Sequence, residues 1–191
     1  MDQVTLAISS NMATDDDSVI CLSLSDCRHV RIQTEKLAPR QRKILASVAI
    51  PCSLDQVWKV LTDYERLADF VPNLTTSRLM SHPDGGIRLE QIGAQCFLNF
   101  KFCARVILDM TEVFPKEIGF SMVEGDFKKF MGKWSLHPAN IGMESAATLL
   151  SYELLVQPPL AMPVQLIEHH ICHNLTQNLL AICDRTTQQF A

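Results

Sequence analysis

The residues best suited to chemistry gather in the run His169-His170-Ile171-Cys172-His173. On a helix, His169, Cys172 and His173 stand at i, i+3 and i+4, a spacing that presents nitrogen and sulfur ligands to one metal ion. The apolar residues around them decide which way that face points. Val164, Ile167, Ile171, Leu175, Leu179 and Ile182 form a stripe roughly 120° wide at about 100° per residue. His169 and His173 fall about 140° and 180° from its centre and face solvent, with no fourth ligand near in sequence. A solvated polar face is therefore preferred to a metal site.

Acid–base work needs a titratable group held inside a pocket. Tyr152, Glu90, Arg105, His137 and Glu153 are the groups on strand-like segments that could serve. Tyr152 shares a face with Leu150, Leu154 and Val156, which turns it inward. The bland reading is a core tyrosine whose hydroxyl bonds to backbone; with a cavity present, that hydroxyl is the best contact for a polar ligand group. Arg105 alternates onto the polar face unless a bulge reverses it. Glu90 and Glu153 have no recognisable partner spacing. Nucleophile elbow, phosphate-binding glycine loop and HExxH are all missing, so no catalytic residue is assigned and no cofactor is implied.

Gly125-Asp126-Phe127-Lys128-Lys129-Phe130 reads as a turn with two phenylalanines flanking two lysines. A solvated turn with one Phe in the core is preferred. The alternative is peripheral contact with an anionic membrane surface near Phe127–Lys133. Lys128, Lys129 and Lys133 are too few to indicate RNA binding, and 17 Lys plus Arg against 21 Asp plus Glu, a net charge of −4, argues against nucleic-acid binding through bulk charge.

These residues need a framework, and 191 residues, 47% hydrophobic, supply enough chain for a core without disulfides or metal. The seven cysteines form no CxxC. Met1–Ser10 has Asp2 and no basic residue, unlike a secretion signal. The uncharged stretch Leu154–Ile167 holds Pro158, Pro159 and Pro163 and is shorter than the ~20 residues of a spanning helix. Reduced thiols and a cytoplasmic location, at most peripheral to a membrane, are expected.

Residues 1–39 read as an extension. Its first ~17 residues resemble a mobile tail ending in Asp15-Asp16-Asp17. Short strands at Val19–Leu24 and His29–Gln33 are expected to add an edge to the main sheet. From residue 40 to 191 the pattern is one domain. Ile44–Ile50 is a strand, Ser53 and Gln56 form a capping box, and Leu54, Val57, Trp58 and Leu61 share one helical face. Tyr64–Phe70 is a second short helix, stopped before Pro72. Asp84-Gly85-Gly86 turns Ser77–His82 into Ile87–Gln91. Cys96–Phe114 alternates as one long strand, its even positions apolar from Cys96 to Met110, with a bend or bulge somewhere along it. Ile118–Glu124, Phe127–His137 and Thr148–Gln157 continue the sheet, and a helix over Met162–Phe190 closes the chain. Antiparallel strands with all helices on one side make an α+β architecture.

Val57–Leu74 (VWKVLTDYERLADFVPNL), Gly125–Trp134 (GDFKKFMGKW) and Met162–Ile182 (MPVQLIEHHICHNLTQNLLAI) resemble the START-like superfamily, in its polyketide cyclase/dehydrase and coenzyme Q-binding branch. The resemblance covers about residues 40–190. It implies a helix-grip fold, a curved antiparallel sheet around the long C-terminal helix, with a cavity between them for a lipid, quinone, polyketide or hormone. Members that catalyse cyclisation or dehydration, members that only bind or carry, and a ribosome-associated toxin all occur in it. Trp58, Phe70 and Pro72 match the family as packing and turn residues. The expected function is binding or carriage of a hydrophobic small molecule of lipid, quinone or isoprenoid class. Its expected wall is Phe102, Val106, Met122, Trp134, Tyr152, Ile167, Ile171 and Leu175. The alternatives are a cyclase/dehydratase and an interaction protein with a ribosome or membrane partner.

Overall fold

A computed structural model describes residues 20–22, 28–97, 100–141 and 145–190. The tail expected over the first ~17 residues lies outside them. Strand β1 is Ile20–Leu22, and Arg31–Ala38 (β2) with Gln41–Ile50 (β3) forms a hairpin. Chain reversal after β3 leads to helix α1, Leu54–Thr62. Ser53 starts it because its Oγ accepts from Gln56 N–H while its own N–H donates to Gln56 Oε1 at 2.8 Å, the reciprocal cap expected from sequence. Val57, Trp58, Val60 and Leu61 are its buried face. The expected second helix is a 3₁₀-helix, Tyr64–Asp69, and Asn73 beyond Pro72 adopts φ +63°, a left-handed turn that asparagine tolerates.

The remaining strands are β4 (Leu74–Met80), β5 (Ile87–Phe97), β6 (Phe100–Val113), β7 (Glu117–Gly125), β8 (Lys129–Ile141) and β9 (Ser145–Gln157), followed by helix α2, Val164–Phe190. They order as β2-β3-β9-β8-β7-β6-β5-β4, every neighbouring pair antiparallel. β1 runs parallel to the Ala139–Ile141 end of β8, which β7 leaves open because it pairs only with Met131–Ser135. The sheet is curved and unclosed, and with the long C-terminal helix it is a helix-grip fold, as the family resemblance implied.

One expected element is corrected. Cys96–Phe114 is not a single strand: β5 runs on to Phe97, and Phe97 pairs with Phe100 across a hairpin. Positions 98 and 99, and the side chains of Cys96, Phe100 and Phe102, lie outside the described residues. Downstream the alternation holds, with Val106 and Leu108 buried. Ile107 is buried as well, beside a register shift against β7 between Ile107 and Leu108, the irregularity the run's length called for.

α2 packs on β3 and α1, where Ile44, Val48, Leu136, Leu150, Leu154 and Leu179 are almost wholly buried. All of the expected stripe is buried except Ile171, which is half-buried. Opposite β5–β7 the helix does not close on the sheet, and a cavity remains.

Candidate functional site

The cavity has two chambers. The first, about 210 Å³, is floored by Leu108, Ile118, Phe120, Trp134 and Tyr152, walled by Tyr64 and Pro72, and roofed by Leu175, Asn178 and Ile182 of α2. The second, about 200 Å³, lies between Ala104, Val106 and Phe127 below and Ile167, His170, Ile171 and Asn174 of α2 above. Leu74, Gln91 and Phe130 border both and form a waist.

Period two explains the floor. Ile118 and Phe120 on β7, Trp134 on β8 and Tyr152 on β9 are same-face residues of paired strands, and Trp134 is the direct cross-strand partner of Tyr152. Their rings form a continuous aromatic run. Trp134 meets Tyr152 at 4.3 Å, Tyr152 stacks on Phe120 at 5.6 Å, Phe120 meets Phe130 at 5.8 Å, and Phe130 meets Phe127 at 5.2 Å between centroids. Gly132 makes room for it: a Cβ there would stand 1.9 Å from the Glu153 carbonyl oxygen and 2.8 Å from the Phe120 ring.

Few polar groups line this space. The Tyr64 hydroxyl donates to Glu112 Oε1 at 2.5 Å. Burial, reinforced by that carboxylate, raises the Tyr64 pKa. Gln91 donates to Ser77 Oγ at 3.4 Å, and Ser77 donates to the Tyr64 carbonyl at 2.6 Å. Asn178, with its amide nitrogen turned to the carbonyls of Pro72 and Asn174, donates to both at 3.1 Å. Asn73 donates to Gln177 at 3.4 Å, a second tie from α2 to the Pro72 turn. Tyr152 is the exception. It is buried, burial alone raises its pKa, and its hydroxyl has no hydrogen-bond partner among the described residues. A hydroxyl in that state is a donor waiting for an acceptor.

Of the wall expected from sequence, Trp134, Tyr152 and Leu175 line the first chamber, and Val106, Ile167 and Ile171 line the second. Met122 borders neither. It packs against the core, its sulfur occupying the space where a Cβ on Gly125 would stand, 2.8 Å away. Phe102 stands on β6 with its side chain outside the described residues. The waist residues Phe130, Leu74 and Gln91 were not on the expected wall. Phe130 and Gln91 carry a period-two signal, beside Trp134 and Leu89, but Leu74 at a strand start carries none.

The other candidate groups face elsewhere. Arg105 stays on the outer face of the sheet, paired with Glu90 and Glu124 at 2.6 Å each. Hydrogen bonds from Arg105 and Arg78 hold the Glu90 carboxyl below its usual range. Glu153 pairs with Lys43 at 3.0 Å, and His137 is exposed. His169 and His173 are exposed, as the wheel placed them; His170 between them lines the second chamber, and burial followed by its two histidine neighbours lowers its pKa. Among the described residues no three His, Cys, Asp or Glu side chains converge on a metal site, and Cys52, Cys103 and Cys172 are thiols. No helix among them is long and apolar enough to cross a membrane.

A curved sheet gripping a C-terminal helix over an apolar, aromatic-floored cavity defines a START-like domain. The chain belongs to the family described as polyketide cyclase / dehydrase and lipid transport, whose model matches residues 50–180. A START superfamily protein from Mycobacterium smegmatis superposes with a TM-score of 0.62 at 17% identity, over 77% of this chain and 98% of that one. The ZhuI aromatase/cyclase from Streptomyces sp. R1128 does so with 0.61 at 15% identity, over 79% and 96%. At such identities the likeness is one of fold. The persistence and stress-resistance toxin PasT of Escherichia coli O6:H1 is 25% identical over 96 residues, half of this chain, and the match spans 58% of the toxin's length.

Proposed function

We propose that this protein binds and carries a hydrophobic small molecule, of lipid, quinone or isoprenoid class, in the two-chambered cavity beneath α2. The observation that carries the reading is the pairing of an apolar, aromatic-floored cavity with a lining tyrosine, Tyr152, whose hydroxyl has no hydrogen-bond partner among the described residues. An apolar cavity of about 150 Å³ holds a benzene-sized molecule, so each chamber has room for one ring or a short branched chain. Together they reach the lower end of the ~300–1,000 Å³ of small-molecule sites. Each ~100 Å² of apolar ligand surface removed from water contributes about 2.5 kcal/mol, and the Tyr152 hydroxyl orients one oxygen of the ligand. Membership of a family described by lipid transport as well as cyclase and dehydrase activity supports a ligand of this kind.

The cyclase/dehydratase alternative would draw on the same groups, with Tyr152 as proton donor. Its raised pKa weighs against that role, because efficient proton transfer needs a pKa near the working pH. A tyrosine that keeps its proton is suited to hold a carbonyl or hydroxyl oxygen by a hydrogen bond.

Titration of the delipidated protein with a fluorescent polyene fatty acid, cis-parinaric acid, tests the reading. Saturable one-to-one uptake that is competed by a quinone or an isoprenoid alcohol is expected. Absence of saturable uptake of any of the three would overturn it.

A further inference from the structure

Three loops meet at the end of the sheet that carries the second chamber. Arg40, in the turn between β2 and β3, donates through Nη2 to the carbonyls of Pro159 (2.6 Å) and Met162 (2.7 Å), tying that turn to the β9–α2 loop. The Lys128 N–H donates to the Gln157 carbonyl at 2.8 Å, and Lys129 is the register partner of Gln157, which ties the β7–β8 loop to the same place. Out of this junction project Leu160, 82% exposed, and Leu37, 46% exposed, with Leu166 at 38% in the first turn of α2. Lys36 towards the end of β2 and Lys128 and Lys129 at the entry to β8 stand at the same end, and the three lysines make no ion pair among the described residues. The neighbouring acids are fewer. Glu168 is paired with Arg42 at 2.7 Å, Asp126 accepts the Arg105 N–H at 2.7 Å, and Glu35 stands opposite Lys43. A cationic rim of this kind runs against the chain's net charge of −4.

We infer that this end is a docking surface for an anionic lipid bilayer, with Leu160 and Leu37 entering the interface and the surrounding cations meeting the headgroups. Exposed leucines beside lysines that make no ion pair among the described residues match the layered chemistry of such a surface, apolar below and anionic above. Phe127 and Phe130, the aromatic pair of the β7–β8 segment, do not supply the anchor, since both are turned into the cavity wall. Two residues of the second chamber's lining, Phe127 and Ile167, are the sequence neighbours of Lys128 and Leu166 on this face. The inference does not depend on what occupies the cavity.

Co-sedimentation of the full chain with vesicles of phosphatidylcholine alone, and of phosphatidylcholine with phosphatidylglycerol, tests it. The protein is expected to partition onto the anionic vesicles and to leave them at high salt. Two neutralisations, Lys128→Gln with Lys129→Gln, are expected to weaken partitioning about 30-fold, and Leu160→Asp at least about tenfold. Val113→Asp is the control: Val113 is 60% exposed at the β6–β7 turn, at the other end of β7, and its substitution is expected to change nothing. Thermal unfolding verifies that each variant is folded. Failure of the protein to sediment with anionic vesicles, sedimentation unchanged in the folded Leu160→Asp and lysine variants, or an equal loss in Val113→Asp would each overturn the inference.

Discussion

Replacing Tyr152 by Phe removes one oxygen and leaves the ring stack on Trp134 and Phe120 in place. In most buried tyrosines this breaks a hydrogen bond and destabilises the protein. Here the hydroxyl has no partner among the described residues to lose. A fully buried polar group without a bond carries a penalty of about 1–3 kcal/mol; the Tyr152 oxygen keeps some accessible surface on the chamber, which reduces that penalty. The ligand-free Tyr152→Phe protein is therefore expected to be as stable as the parent, or more stable by up to about 1 kcal/mol. Tyr64→Phe deletes the same atom with the opposite result. Its hydroxyl donates to the Glu112 carboxylate, a bond worth about 1–2 kcal/mol once the exposure of Glu112 is discounted. Urea unfolding of delipidated protein, compared at constant m-value, separates the two. With ligand bound, Tyr152→Phe is expected to lose one hydrogen bond of about 0.5–1.5 kcal/mol, or roughly 2- to 12-fold in Kd. A destabilisation of more than about 1 kcal/mol in the ligand-free protein would refute the reasoning. It would show that the hydroxyl has a partner and that Tyr152 is an ordinary core tyrosine.

Ile171→Trp and Leu175→Trp are expected to abolish probe uptake by filling one chamber each. Ile171, half-buried, should tolerate the change, whereas Leu175 is buried and should lose about 1–3 kcal/mol by overpacking; uptake by a folded Ile171→Trp protein would move the pocket elsewhere. Phe130→Ala should join the chambers through the waist and shift preference in a series of fatty acids towards longer chains, and an unchanged series would remove Phe130 as the divider. Acid should destabilise the fold through Glu90 and Asp109, whose pKa values are lowered by hydrogen bonds from Arg105 and Arg78 and from Arg88 respectively. Their contribution is present above the unfolded values of about 4.3 and 3.9 and lost as pH falls through the folded ones. Unfolding midpoints measured down to about pH 2 should therefore drop less steeply in Glu90→Gln. Tyr64 and Tyr152, both raised, should make stability fall as pH rises above about 10, with a smaller fall in either Phe variant.

What was legible in the sequence was local or strictly periodic. The Ser53–Gln56 cap is written in adjacent residues, and the inward faces of β7 and β9 follow from alternation, so Phe120 and Tyr152 fall where the pattern puts them. The hairpin at Phe97–Phe100 was illegible because no glycine or proline interrupts an apolar run that alternates on both sides of it. Met122 kept its phase but lost its place, since the glycine at position 125 leaves its sulfur a niche outside the chambers. The waist depends on how far α2 stands from β5–β7, a tertiary distance that no single segment encodes. The tie between the β2–β3 turn and the β9–α2 loop, each carrying or flanked by an exposed leucine, is made by Arg40 reaching the Pro159 and Met162 carbonyls, a tertiary bond that no single segment encodes.

Native mass spectrometry of the protein purified without detergent, followed by organic extraction, tests the central claim most directly. The account predicts a stoichiometric mass adduct that extraction identifies as an apolar molecule with at least one oxygen, absent from Ile171→Trp. A bare polypeptide mass that stays bare after incubation with a total lipid extract would contradict it.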